Sequence, residues 1–225
     1  WVCPSLATTG WRCRDVVVRR RIDVVALGAG LLVIVLTGLI AQSGVPGWER
    51  ATFHAINDLP DQIHWFMFVW QLLGSLLVPV AVAVVALVLK KWRLALAMAL
   101  LPPLKLLIER SIKQVVERQR PAASTCGGDL DCGQFRDVPT LGSSFPSGHA
   151  VIAFAMMWLL LPYVPRRWWW AVLTPVVLVL LSRVYLGAHN PLDVVAGGAA
   201  GVVIASALNL LLGVPARQPA AALSS

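Results

Sequence analysis

Lys113 and Arg120, then Ser147, Gly148 and His149, then Arg183, His189 and Asp193 stand near the ends of long apolar runs. Ionisable groups are costly in such positions, so function is their first reading. Three fixed cations suit one anion. On a continuous helix, Lys113 and Arg120, seven residues apart, fall on one side about two turns from each other, within reach of a single oxyanion. In the stretch FPSGHA, Ser147 is placed to cap a helix and aim its first N–H groups outward, and Gly148 permits close approach to backbone. With Arg183 these donors match the spread charge of a phosphoryl group without a metal. No metal ligand set and no cofactor is therefore expected.

The remaining three residues could carry the reaction. A neutral imidazole, with a reference pKa of about 6.5, can attack phosphorus, and a carboxylate on its other ring nitrogen fixes the tautomer. His189 and Asp193, four apart, fit those two roles if a helix starts at Pro191 with Asn190 as its cap. His149 is then free to protonate the leaving oxygen. Blander roles exist for each residue alone: helical ion pairs of Lys113 and Arg120 with Glu109 and Glu117, an interfacial His149, an Asp193 that complements a helix start. Their joint arrival at one level of the chain weighs against those roles.

The elements that must position these groups are membrane helices. The chain of 225 residues is 58% hydrophobic and 13% charged, with a mean hydropathy of +0.74, far from the composition of soluble domains. Its net charge of +8 is scattered between apolar runs rather than gathered into a stripe, so no nucleic acid partner is expected. The partners implied are the lipid bilayer and a membrane lipid phosphate; oligomeric state is left open. Six runs approach the length of a span, over residues 24–41, 65–89, 94 to beyond 108, 146–164, 168–188 and 192–213. The reading is an all-α, integral membrane six-transmembrane-helix bundle.

Lys and Arg cluster in the N-terminal tail, at residues 90–93 and at residues 166–167, which puts both termini in the cytoplasm and the reactive groups on the outer side of a plasma membrane. Residues 1–21 read as a basic cytoplasmic tail, 22–213 as the six-span domain and 214–225 as a disordered tail. A first residue of Trp1 suggests a trimmed or late start, and the run after Arg19, Arg20 and Arg21 lacks a cleavage site and reads as a retained span.

Several local expectations follow. Pro102 and Pro103 should kink the third span and Pro175 the fifth. Gly197, Gly201 and Ala205 at four-residue spacing should form a close-packing face. In SRVYLGAHNPLD, Arg183 and His189 are six apart, about 120° off one helical face, so the helix should end or bend near Gly187. Cys126 and Cys132 flank a short outer loop and should be bridged; Cys3 and Cys13, on the cytoplasmic side, should not. The segment WERATFHAINDLPDQIHWF reads as an interfacial helix over the site, and Lys105 with Glu109 as a buried ion pair.

The motifs K-x6-R-P from Lys113 to Pro121, P-S-G-H from Pro146 to His149 and S-R-x5-H-x3-D from Ser182 to Asp193 resemble the three-part signature of the phosphatidic acid phosphatase type 2 superfamily, which also contains the vanadium haloperoxidases. The resemblance implies a metal-independent lipid phosphatase working through a phosphohistidine at His189, with Asp193 orienting it and His149 as acid. Lys113, Arg120, Ser147, Gly148 and Arg183 would hold phosphate. The substrates it implies are a polyprenyl pyrophosphate, phosphatidylglycerophosphate or phosphatidic acid at the outer face of a bacterial inner membrane. The alternatives are vanadate-dependent halide oxidation and a binding or transport bundle without catalysis.

Overall fold

The computed structural model of the protein describes residues 17–215, and these are mostly helical. Helix α1 (Arg21–Gln42) starts three residues before the charge-free run because Asp23 is fully buried and paired. Its carboxylate accepts from the Arg20 guanidinium, from Trp158 Nε1 at 2.8 Å and from Asn209 Nδ2 at 3.1 Å, so the charge is neutralised where water is absent. At the same end β1 (Val17–Val18) pairs antiparallel with β2 (Val214–Pro215). Val214 and Pro215, expected in the C-terminal tail, thus belong to the packed body. Residues 1–16 and 216–225, with Cys3 and Cys13, lie outside the described residues.

Helix α2 (Gly47–Asn57) occupies the first half of the expected interfacial segment and buries Glu49, Phe53 and Asn57, one stripe at four-residue spacing. Helices α3 (His64–Gln71) and α4 (Leu77–Val88) replace the expected unbroken second span with a pair bent by 59°. The break has a packing cause at Gly74. A Cβ there would lie 2.7 Å from His149 Cβ and 2.8 Å from the His149 carbonyl oxygen, so the backbone of the break rests directly on the helix that carries His149. Gly74→Ala is expected to destabilise the protein by about 1–3 kcal/mol through overpacking, measured as a lower thermal midpoint in detergent.

Helix α5 (Trp92–Val115) runs through Pro102 and Pro103 and stops at Val115. Lys113 and Arg120 are therefore not on one helix, contrary to the expectation from their spacing. Pro121 restricts the residue before it to extended backbone, and Arg120 has φ −66° and ψ 161°. The stretch around it runs beside residues 142–144, with Arg120 N–H donating to the Gly142 carbonyl at 3.2 Å and Ser144 N–H to the Arg118 carbonyl at 2.8 Å. The one-turn α6 (Pro121–Ser124) follows.

The last three helices enclose the centre: α7 (Gly148–Leu160), α8 (Trp169–Tyr185) and α9 (Pro191–Leu212). A Cβ at Gly197 would strike the Ser147 carbonyl and one at Gly201 the Val151 carbonyl, so the small-residue face lets α9 lie against α7 at backbone contact. Met98, Leu101, Ile152, Leu159 and Ile204 form the core between α5, α7 and α9. Large apolar side chains such as Leu77, Val88 and Leu211 point outward and are 73–78% exposed, a surface suited to lipid rather than water. Among the described residues, three helical stretches can cross a membrane by length and hydropathy: α1, Arg166–Tyr185 and α9. The bent pair makes a fourth. Helix α7, apolar but 13 residues long, is short of the roughly 20 that a span needs.

Candidate functional site

Helix α8 ends at Tyr185, and Gly187 takes φ +76°, the turn that the spacing of Arg183 and His189 requires. No larger residue fits, since a Cβ would run into the Gln134 carbonyl and Phe135. The turn delivers His189 to a site where its side chain is 4% exposed. Asn190 then caps α9, and Asp193, at the third helical position, accepts from the Asn190 N–H at 2.8 Å through Oδ2. The same Oδ2 lies 3.8 Å from His189 Nδ1. That is too long for a hydrogen bond but faces the carboxylate to the imidazole.

Around His189 stand the groups read from the sequence. Arg183 is buried, donating through one terminal nitrogen to the Gln71 side-chain oxygen while its Nε makes no hydrogen bond among the described residues. Ser147 sits at the cap position of α7, but its hydroxyl makes no capping bond; it is buried and unpartnered among the described residues. Its backbone N–H instead donates to the Asp193 carbonyl at 2.8 Å, tying α7 to α9. Arg120 reaches the His189 turn by donating to the Ala188 carbonyl at 3.0 Å.

His149, on the first turn of α7, lies in the fields of Arg183, His189, Lys105 and Glu109. Burial, then Arg183, Arg120 and Lys113, push the His189 imidazole well below its ordinary pKa, with Glu109 opposing. It is therefore neutral across the physiological range. Arg120 is made less basic than usual, by burial first, with the charges of Asp193 and Glu109 partly compensating.

Two expected phosphate contacts are arranged differently. Lys113 donates to Glu109 Oε1 at 2.6 Å, and Lys105 holds the other oxygen of the same carboxylate. Glu109 is thus shared between two lysines, and Lys113 must exchange that partner for any anion. Gly148 is packed under this cluster. A Cβ there would lie 2.6 Å from Lys105 Nζ and 2.7 Å from Glu109 Oε2, so the missing side chain makes room for the ion pair.

Three residues of the site escaped the motifs. Arg118 is 5% exposed and donates to Glu49 Oε1 at 3.0 Å and to Glu49 Oε2, and also to Asp193 Oδ1 at 3.0 Å. Glu49, fully buried, accepts in addition from the Leu192 N–H at 2.9 Å. Gln71 completes the set by holding Arg183. The sequence signal for Glu49 was its place on the buried stripe of α2; Arg118 and Gln71 gave none.

Outside this centre Asn57 and Arg136 clamp the end of α8. Asn57 Nδ2 donates to the Tyr185 carbonyl at 2.9 Å and Arg136 to the same oxygen at 2.7 Å. Cys126 and Cys132 are joined in a disulfide. With His54 Nε2 they form the one group of histidine, cysteine and carboxylate side chains with metal-binding spacing among the described residues, and the bridge removes both thiolates from it. The bridge closes a loop with a sequence separation of 6. Replacing both cysteines by serine is expected to cost about 2 kcal/mol, read by thermal unfolding, with turnover kept because the loop touches none of the central groups.

Residues 68–214 match the PAP2 superfamily. The chain is 28% identical over 159 residues to the putative undecaprenyl-diphosphatase YbjG of Escherichia coli, an alignment covering 67% of this chain and 76% of that protein. It is 48% identical over 54 residues to an undecaprenyl-diphosphatase of Sulfolobus acidocaldarius, an alignment covering 24% of this chain and about a quarter (26%) of that protein. Among solved structures, a transmembrane PAP2-type phosphatidylglycerolphosphate phosphatase of Bacillus subtilis superposes with a TM-score of 0.64 at 21% identity, over 82% of this chain and 94% of the other. LpxE of Aquifex aeolicus superposes with a TM-score of 0.62 at 23% identity, over 70% and 92%. These two likenesses establish the membrane fold.

Proposed function

Since this chain belongs to the PAP2 superfamily, we propose that it is a metal-independent lipid phosphatase whose principal substrate is a polyprenyl diphosphate such as undecaprenyl diphosphate. The reading rests above all on one observation. Ser147 Oγ and Arg183 Nε are buried polar atoms without hydrogen bonds among the described residues, close to His189 and the cations of Arg120, Arg183 and Lys113 that face it. Buried unsatisfied polar groups are costly and call for a ligand. One that is anionic, with several acceptor oxygens, satisfies the hydroxyl, the guanidinium and the first N–H groups of α7 together. The names of the relatives in Escherichia coli and Sulfolobus acidocaldarius support the diphosphate.

The chemistry has two steps. His189 presents Nδ1 to Asp193, so Nδ1 carries the proton and Nε2 attacks. The Nε2–P bond forms as the bond from phosphorus to the leaving oxygen breaks, and His149 gives its proton to that oxygen. His149, now a base, takes a proton from water as the water oxygen attacks phosphorus. The N–P bond then breaks and inorganic phosphate leaves. Arg120, Arg183, Ser147 and the start of α7 carry the charge that grows on the phosphoryl oxygens.

For the arrangement in the membrane, six spans with both termini cytoplasmic and the site at the outer face of a bacterial plasma membrane fit the Lys and Arg distribution. A site at the interface lets a lipid present its head group while its tails stay among the apolar faces.

The test is phosphate release by the purified protein in detergent with EDTA present, on polyprenyl diphosphate, phosphatidylglycerophosphate and phosphatidic acid. Undiminished release with EDTA, fastest on the polyprenyl diphosphate, is the expected result. Release abolished by EDTA would remove the metal-free mechanism, and faster release from a glycerolipid would reassign the substrate.

A further inference from the structure

Behind His189 a buried chain of charges joins the motif residue Asp193 to two residues that the signature does not specify, Arg118 and Glu49. Glu49 holds Arg118 with both carboxylate oxygens, Arg118 reaches on to Asp193 Oδ1, and Glu49 Oε1 also accepts from the Leu192 N–H in the first turn of α9. All three side chains are nearly inaccessible, with relative exposures of 0%, 3% and 0% for Glu49, Arg118 and Asp193. Packing does not account for such an arrangement. Two carboxylates and a guanidinium taken out of water cost several kcal/mol per ion, and apolar residues of the same volume would hold α2 to α9 as well. We propose that Glu49 and Arg118 are positioning residues for the nucleophile: they fix Asp193 and set the charge that His189 faces. The inference rests on the reading of His189 as the attacking group.

The geometry divides the labour. Arg118 occupies Oδ1 of Asp193, and the Asn190 N–H occupies Oδ2 on the side away from Arg118. The carboxylate is thereby pinned at two points with Oδ2 turned to the imidazole. Arg118 alone would cancel the negative charge that His189 needs behind it. Glu49 prevents this, since the three groups together carry a net charge of −1. Burial opposes the charge on Arg118, but hydrogen bonding and attraction from Glu49 and Asp193 outweigh it and hold the guanidinium more basic than usual. It is ionised at every working pH.

The other charges that face His189 are the cations Arg183 on α8, Lys113 on α5 and Arg120 before α6, Glu109 on α5, and the imidazole of His149 on α7. Most of them disfavour an imidazolium. The net negative charge of the Glu49 network is the main element of opposite sign on the Asp193 side. It raises the basicity of His189 and stabilises the positive charge the ring acquires when it is phosphorylated.

The test uses the full chain in detergent and two variants. Glu49→Gln keeps the shape and removes the charge. Its expected result is a kcat lowered about 10-fold or more with KM within about 3-fold, in the range of changes to groups that orient a reactive ligand. The acid limb of its kcat/KM profile moves to lower pH, because His189 loses a negative neighbour and becomes less basic. The double variant Glu49→Leu with Arg118→Met keeps volume and removes both charges, so its fold survives, and it is expected to share the kcat loss.

Wild-type kcat and an unmoved acid limb in the folded fraction of either variant would overturn the proposal. So would loss of folded protein with full turnover in what remains, since that is the mark of a structural pair. His189→Ala separates the two levels. Activity surviving in that variant removes the reading of the site itself, whereas activity lost there and kept in Glu49→Gln removes only the role of Glu49 and Arg118.

Discussion

Replacing His189 by alanine is expected to lower phosphate release about 10³-fold or more, the scale seen when a nucleophile is removed from a preorganised site. The protein should still fold. The side chain sits in a turn whose shape is fixed by Gly187 and by the Asn190–Asp193 cap, and its Nδ1 makes no hydrogen bond that the fold would lose. The imidazole is neutral because burial and the neighbouring cations disfavour its charge. Protonation therefore limits the wild-type rate only below the ordinary histidine range, and the acid limb of kcat/KM lies there. Thermal unfolding in detergent should show a midpoint near that of the wild type beside the lost turnover. Turnover within about tenfold of wild type would take the chemistry away from His189.

Arg183 carries the second large effect. Its guanidinium is buried at the end of α8, with one nitrogen on Gln71 and Nε unpartnered among the described residues. Arg183→Ala removes a fixed cation from the phosphoryl oxygens and leaves the Gln71 oxygen without its donor. The expected loss in kcat is about 10²–10³-fold. Arg183→Lys should recover little of it. An ammonium is a point charge that cannot hold Gln71 and two phosphoryl oxygens in one plane. A lysine variant with wild-type kcat would show that charge alone matters at this position.

The geometry of the candidate site was legible where it is local. The spacing of His189 and Asp193, the cap at Asn190 and the need for a turn at Gly187 are properties of a single stretch, and the backbone follows them. What was not legible depends on contacts distant in sequence. Glu49 meets Leu192 across 143 residues. An amphipathic stripe predicts that Glu49 is buried and says nothing of what it meets. Arg118, in the run ERQR, looks like a solvated charge; only the pairing of this extended stretch with residues 142–144 turns it inward.

The second apolar run showed its break only in the pair Gly74–Ser75, a place where helices kink, because HWFMFVWQLLGSLLVPVAV is otherwise apolar almost throughout and the deciding contact, the seat of Gly74 on α7, is distant in sequence. The mistaken alignment of Lys113 with Arg120 had a visible corrective in Pro121, which disfavours helix at the residue before it.

The central claim is attack by His189 to give a covalent phosphohistidine, and the stereochemical course at phosphorus tests it most directly. A substrate with a phosphoryl group made chiral by oxygen isotopes is turned over in the presence of an acceptor alcohol, and the configuration of the phosphorylated acceptor is determined. Two successive in-line displacements, one by His189 and one by the acceptor, predict retention of configuration. Inversion would mean a single direct displacement and would contradict the account.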